Sequence, residues 1–123
     1  MINNISTRGI RGAISVKSNT EEDIKNATMT LISQMISQND VKAQDISHCI
    51  FTMTKDLNAA YPAKFVRDEL NFKYVPLLCF NELDIKNSLK MCLRILIVIN
   101  TNKPQDAIKH VYLEGAKILR PDL

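Results

Sequence analysis

Apolar and polar positions repeat along this chain with a period that changes from block to block, and each change marks an element. The longest apolar block runs from Asn87 to Asn100. On an extended backbone Leu89, Met91, Leu93, Ile95, Ile97 and Ile99 share one side, and Lys90, Cys92, Arg94, Leu96 and Val98 share the other. Its second half is rich in β-branched residues, which predicts a buried central strand. Upstream, Arg8 to Val16 alternates with Ile10, Ile14 and Val16 together. This predicts a strand loosened by Gly9 and Gly12, where the backbone can bend or approach a neighbour. The period then lengthens. Ile24, Ala27, Leu31, Ile32 and Met35 recur at helical spacing to about Gln38, behind Thr20 as a cap and Glu21, Glu22 and Asp23 in the first turn.

Ile46 to Thr54 predicts a second strand, and Lys55 to Ala60 a loop. Tyr61-Pro62 opens a short helix with Phe65, Val66 and Leu70 inward and Lys64 and Arg67 together on its outer side. Tyr74 to Phe80 is extended, delayed or confined to a sheet edge by Pro76. Pro104 to Lys109 suits one helical turn, and Val111–Leu113 and Lys117–Leu119 suit two short strands. Met1 to Thr7 is expected to be a loose polar leader. Phe51, Phe65, Phe72, Phe80, Met53 and Met91 are assigned to the core. The order predicts an α+β fold, a mixed β-sheet packed with one main helix and short helices.

A length of 123 residues makes this a single domain, 1–123, small enough to benefit from oligomerisation. No stretch approaches the roughly 20 apolar residues of a membrane span, and the start lacks a signal-peptide pattern. Three scattered cysteines, Cys49, Cys79 and Cys92, argue for reduced thiols in the cytoplasm rather than a disulfide framework or zinc site. Sixteen basic against 13 acidic residues leave a net charge of +3, too mild to imply nucleic acid.

Candidate chemistry is sparse. No nucleophile–base pair stands out, no glycine-rich phosphate loop occurs, and His48 and His110 are not at metal-ligand spacing. What changes the picture is Arg94. A guanidinium cannot shed its charge, and burying one unpaired costs several kcal/mol or more. It needs a carboxylate, a bound anion or both, and Glu82 is a plausible carboxylate. A structural ion pair satisfies that spacing as well as an anion site does. Arg11, on the glycine-flanked strand, and Arg120 are the other arginines at unusual positions.

These residues belong to a larger pattern. Arg8-Gly9-Ile10-Arg11-Gly12-Ala13, Tyr61-Pro62-Ala63-Lys64 with Val66-Arg67, Tyr74-Val75-Pro76, Cys92-Leu93-Arg94, Pro104-Gln105-Asp106, His110-Val111-Tyr112-Leu113-Glu114 and Leu119-Arg120-Pro121-Asp122-Leu123 together resemble the monofunctional AroH-type chorismate mutases of Bacillus. The resemblance runs from about Arg8 to the last residue. It implies a homotrimeric pseudo-α/β-barrel with active sites between subunits, and the Claisen rearrangement of chorismate to prephenate without cofactor or metal. It also implies roles. Arg94 resembles the cation aimed at the breaking ether oxygen, and Arg11 and Tyr112 resemble holders of the substrate carboxylates. Glu82 resembles the acceptor of the ring hydroxyl, with Cys79 as a second contact to that group. Tyr61, Ala63 and Leu119 look like apolar walls, and Lys64, Arg67 and Arg120 like cations at the entrance.

The chain departs from the family pattern at a few places. Tyr61 stands where a Phe is expected, Asn87-Ser88 where two glycines are expected, and Leu77-Leu78 replace a smaller, partly polar pair. Two other readings stay open from sequence: a trimeric imine deaminase of the reactive-intermediate class, or a non-enzymatic trimer that binds a small anion.

Overall fold

Strand β4 (Cys92–Thr101) forms the middle of a five-stranded sheet in the computed structural model, which describes residues 4–122. On one side it pairs antiparallel with β1 (Ser6–Ser15), which pairs in parallel with the short β5 (Val111–Leu113). On the other side it pairs antiparallel with β2 (Ile46–Met53), which carries β3 (Leu77–Asn81) in parallel at the far edge. The order is β3-β2-β4-β1-β5. Helix α1 (Glu21–Gln38) covers one face, and α2 (Pro62–Glu69) lies beside it over the β3 edge. The mixed sheet with one main helix is as the sequence predicts.

The core lies between α1 and the sheet. Ile10, Ile14, Leu93, Ile95, Ile97, Ile99, Cys49 and Phe51 meet Ile24, Leu31, Ile32 and Met35 there, all nearly sealed from solvent. The predicted cap is present, since the Asp23 N–H donates to Thr20 Oγ1 at 3.1 Å. The other end is fixed by Asn39, whose buried amide nitrogen donates to Met35 O (2.8 Å) and Lys109 O (2.9 Å). Its amide oxygen accepts from the Lys109 N–H at 2.8 Å, so the helix end holds the segment that leads into β5.

Several expectations need correction. The central strand starts at Cys92 rather than Asn87, because the chain turns through residues 87–91 with Asn87 at φ 65° and Met91 at φ 50°. Only its odd-numbered face is sealed by the helix; Arg94, Leu96 and Val98 on the other face are half-buried. Phe80 lies on that second face and is 53% exposed, so it is not core. Lys117–Leu119 is not a strand. Glu114, at φ 52°, turns the chain off the sheet, the Gly115 N–H donates to Ser15 Oγ (2.9 Å), and Glu114–Leu119 coils as a 3-10 helix whose buried Ala116 packs with Ala13 and Cys92. Of the predicted leader, Ser6 and Thr7 pair with Thr101 and Asn100, while residues 1–3 lie outside the described residues.

Gly12 faces α1, and a Cβ there would sit 2.4 Å from Met35 Sδ and 3.0 Å from Leu31 Cδ1. Both neighbours are buried, so little room exists for them to yield. Gly12→Ala should therefore destabilise the fold by about 1–3 kcal/mol, read from denaturant midpoints.

Candidate active site

Pairing register sets which side chains share the face away from α1. Tyr112, Ala13, Arg94, Thr52 and Phe80 sit opposite one another across five strands, forming one row. The adjacent row holds Arg11, Leu96, Ile50 and Leu78. An open cleft of about 280 Å³ lies over these rows, lined by Arg11, Ile50, Thr52, Glu82, Arg94 and Leu96 among others. Glu82 reaches it because its N–H donates to Met53 O (2.9 Å), continuing the β2–β3 pairing one step past β3. Its Oε1 lies 3.0 Å from Arg94 Nε and also accepts a hydrogen bond from Thr52 Oγ1.

The ion pair has a particular geometry. Arg94 Nε is buried and close to the carboxylate, yet its N–H does not point at Oε1 well enough to form a hydrogen bond. The contact is Coulombic rather than a two-pronged fork. Side-chain exposures of 28% for Arg94 and 20% for Glu82 put the pair at the floor of the cleft, neither dry nor free in water. Tyr112 Oη, in the same row, is buried and has no hydrogen bond of good geometry among the described residues, although Arg120 lies near enough for the tyrosine to favour its charge. Leu119 packs beside it on the small Ala13, Cys92 and Ala116 cluster.

The start of β4 is held from below. The Cys92 N–H donates to Thr54 Oγ1 at 3.0 Å, and the Met91 N–H reaches both oxygens of Asp56 at 3.2 and 3.0 Å. Partial burial works against the ionised Asp56, but bonds from the Thr54 hydroxyl and the Met91 N–H outweigh it and hold this carboxyl below its ordinary value. Asn87 supplies the left-handed turn where a glycine is expected, a conformation its short amide side chain tolerates.

The remaining candidates do not enter this cleft within one chain. Cys79 pairs with Phe51 and so points to the helix side, where burial pushes its thiol up and the Ala63 backbone bond only partly offsets that. Burial likewise pushes Cys49 up to about 12 and raises Cys92. Ala63 packs against the core edge and Tyr61 is exposed at the start of α2. Lys64 and Arg67 are exposed on α2, with Lys64 Nζ 3.9 Å from Glu21 and Arg67 Nε 3.7 Å from Asp68. Arg120 folds onto Asp122, donating from Nε at 3.1 Å and from a terminal nitrogen at 2.9 Å. Among the described residues no group of three or more His, Cys, Asp or Glu side chains could hold a metal, and no helix is long and apolar enough to cross a membrane.

The family model described as chorismate mutase type I matches residues 7–123. The chain belongs to the type I chorismate mutases. Chorismate mutase AroH of Bacillus subtilis (strain 168) is 44% identical over 116 residues, covering 94% of this chain and 91% of that protein. Chorismate mutase AroH of Thermus thermophilus is 43% identical over 117 residues, covering 94% and 95%. A solved chorismate mutase from Clostridium thermocellum superposes with a TM-score of 0.86 at 43% identity, covering 89% of this chain and 97% of that one. The imine-deaminase alternative receives no support from these likenesses.

In this chorismate mutase chain, sequence reasoning missed Thr52. A threonine in a strand is unremarkable in composition, and only the pairing of Thr52 with Arg94 brings its hydroxyl to Glu82. His48 lies beside Ser47 Oγ at 3.0 Å, and His110 Nδ1 accepts from the Arg11 N–H at 3.0 Å. That bond puts the imidazole proton on Nε2. Burial, then the charges of Arg11 and Arg120, lower the His110 pKa. The unfolded chain therefore binds more protons than the native one between the ordinary value near 6.5 and the lower folded value. Stability should fall as pH drops through that window and level off below it. His110→Gln should flatten this part of the profile, checked by denaturation midpoints between pH 7.5 and pH 5, values set around the ordinary histidine range of about 6.5.

Proposed function

We propose that this chain rearranges chorismate to prephenate, a step of aromatic amino-acid (Phe/Tyr) biosynthesis, using positioning and electrostatics alone. In this intramolecular rearrangement the ether C–O bond breaks as a C–C bond forms, with no proton gained or lost and no covalent intermediate. Help can come from holding the compact diaxial conformer and from stabilising charge on the ether oxygen as the bond breaks. The observation that carries the reading is Arg94, a permanent cation on the middle strand, held beside Glu82 at the floor of a cleft that also contains Arg11.

In this reading Arg94 faces the ether oxygen, Arg11 and Tyr112 take the substrate carboxylates, and Glu82 accepts the ring hydroxyl. Tyr112 Oη, buried and without a well-aligned hydrogen bond among the described residues, supports its share, since a substrate carboxylate would satisfy it. Tyr61, Ala63, Cys79 and Leu119 wall the pocket, and Lys64, Arg67 and Arg120 attract the dianion at the entrance.

A homotrimer fits this distribution. One chain carries Arg94, Glu82, Arg11 and Tyr112 on the outer sheet face, but Cys79 and α2 on the helix side. A site using both sets needs a second copy. Exposed Leu78 and Phe80 on the outer face are apolar surface that such an assembly would cover. Three unpaired thiols suit a reducing, cytoplasmic setting.

The direct test is loss of chorismate ultraviolet absorbance with prephenate as sole product; no turnover would overturn the reading. Arg94→Ala should lower kcat far more than it raises KM, losing on the order of 3 kcal/mol or more of transition-state stabilisation. Unchanged turnover in the folded variant would reject its role. Sedimentation should give a mass near three times the 14.0 kDa chain, and a monomer at assay concentrations would contradict the shared site.

A further inference from the structure

We infer that Thr52 is a positioning residue that fixes the Glu82 carboxylate so that one oxygen serves the substrate while the Arg94 guanidinium stays free to act. The inference rests on the chorismate mutase reading above and goes beyond it by adding a residue that never touches the reacting atoms. Thr52 is half-buried on β2, directly opposite Arg94 on β4, and its hydroxyl donates to Glu82 Oε1. That same oxygen lies 3.0 Å from Arg94 Nε. One carboxylate oxygen is thus claimed from two sides, by a neutral donor and by a cation.

An arginine and a carboxylate left to themselves favour a two-pronged arrangement, with two parallel N–H···O bonds. That arrangement would engage both Glu82 oxygens and two guanidinium nitrogens at once, leaving fewer donors and lone pairs turned toward a ligand. In this chain the pair does not adopt it. The contact runs through Nε with an N–H that misses Oε1. The Thr52 hydroxyl bears on this, because its bond to Oε1 takes one of that oxygen's two lone pairs and so helps set the angle of the carboxylate to the guanidinium. A threonine suits the task, since its β-branch restricts χ1 and so fixes the direction of the hydroxyl. Oε2 is then the oxygen left for a ring hydroxyl.

The test is a double-mutant cycle on the full chain, following chorismate consumption. Thr52→Val keeps the shape of the side chain and removes the donor. It should lower kcat by about 10- to 100-fold, the range for losing a hydrogen bond to a charged group, with a smaller change in KM. Thr52→Ser restores a hydroxyl and should recover most of the loss. In a Glu82→Gln background Thr52→Val should cost little more, because the group it positions is already altered. Full activity of Thr52→Val, no rescue by Ser, or an equal loss in both backgrounds would each overturn the proposal. The last result also exposes a merely structural role, since a folding defect would carry over to either background. Absence of turnover in the unmodified protein would bring down the underlying reading, and Thr52's role with it.

Discussion

A permanent positive charge on the middle strand of a sheet is the constraint around which this molecule is arranged. The guanidinium of Arg94 stays ionised, so its surroundings have to make ionisation tolerable while leaving some of its hydrogen-bonding capacity unused. Glu82 supplies the countercharge from just beyond β3, two strands away. The 3.0 Å contact is close enough to offset desolvation, and its misalignment stops the two groups from saturating each other. A partly buried ion pair built only for stability would be expected to close its hydrogen bonds. This one does not, and the open cleft beside it gives a reason.

The two faces of β4 divide the labour. Leu93, Ile95, Ile97 and Ile99 go under α1 and form the core, while Arg94 and Leu96 face the cleft. Rigidity of the first face is inherited by the second, since alternate side chains leave the same backbone. Asp56 and Thr54 hold the start of the strand against the Met91 and Cys92 N–H groups, close to the arginine. Gly12 lets α1 come down close to β1, next to Arg11 on the opposite face. Packing and chemistry are therefore coupled through single residues of backbone.

Much of this was legible in the sequence. The helix from Glu21 and the strands around Ile10 and Phe51 followed from period and capping residues, and the cost of an unpaired guanidinium called for a counter-anion near Arg94, with Glu82 as a plausible one. The strand boundary at Cys92 did not, because apolar Leu89 and Met91 continue the alternation while the backbone turns through positive φ at Asn87 and Met91. Lys117–Leu119 read as a strand because three residues carry little periodic information, and the turn at Glu114 is a conformational fact that composition hides. Phe80 looked like core because its residue type is usually core; its exposure follows from which face β3 presents. Thr52 was invisible for a related reason. Its contacts with Arg94 and Glu82 exist only through strand pairing.

The alternation along β4 also bears on how the chain finds its fold. Side chains change sides with every residue, so a pairing shifted by one position would drive Arg94 in among the leucines and isoleucines under α1 and turn the greasy set outward. Such an arrangement strands an unneutralised cation in hydrocarbon, a state the chain has strong reason to abandon. The cation at the floor of the cleft thereby acts as a proofreader of strand alignment, and an uncharged replacement would relax that check.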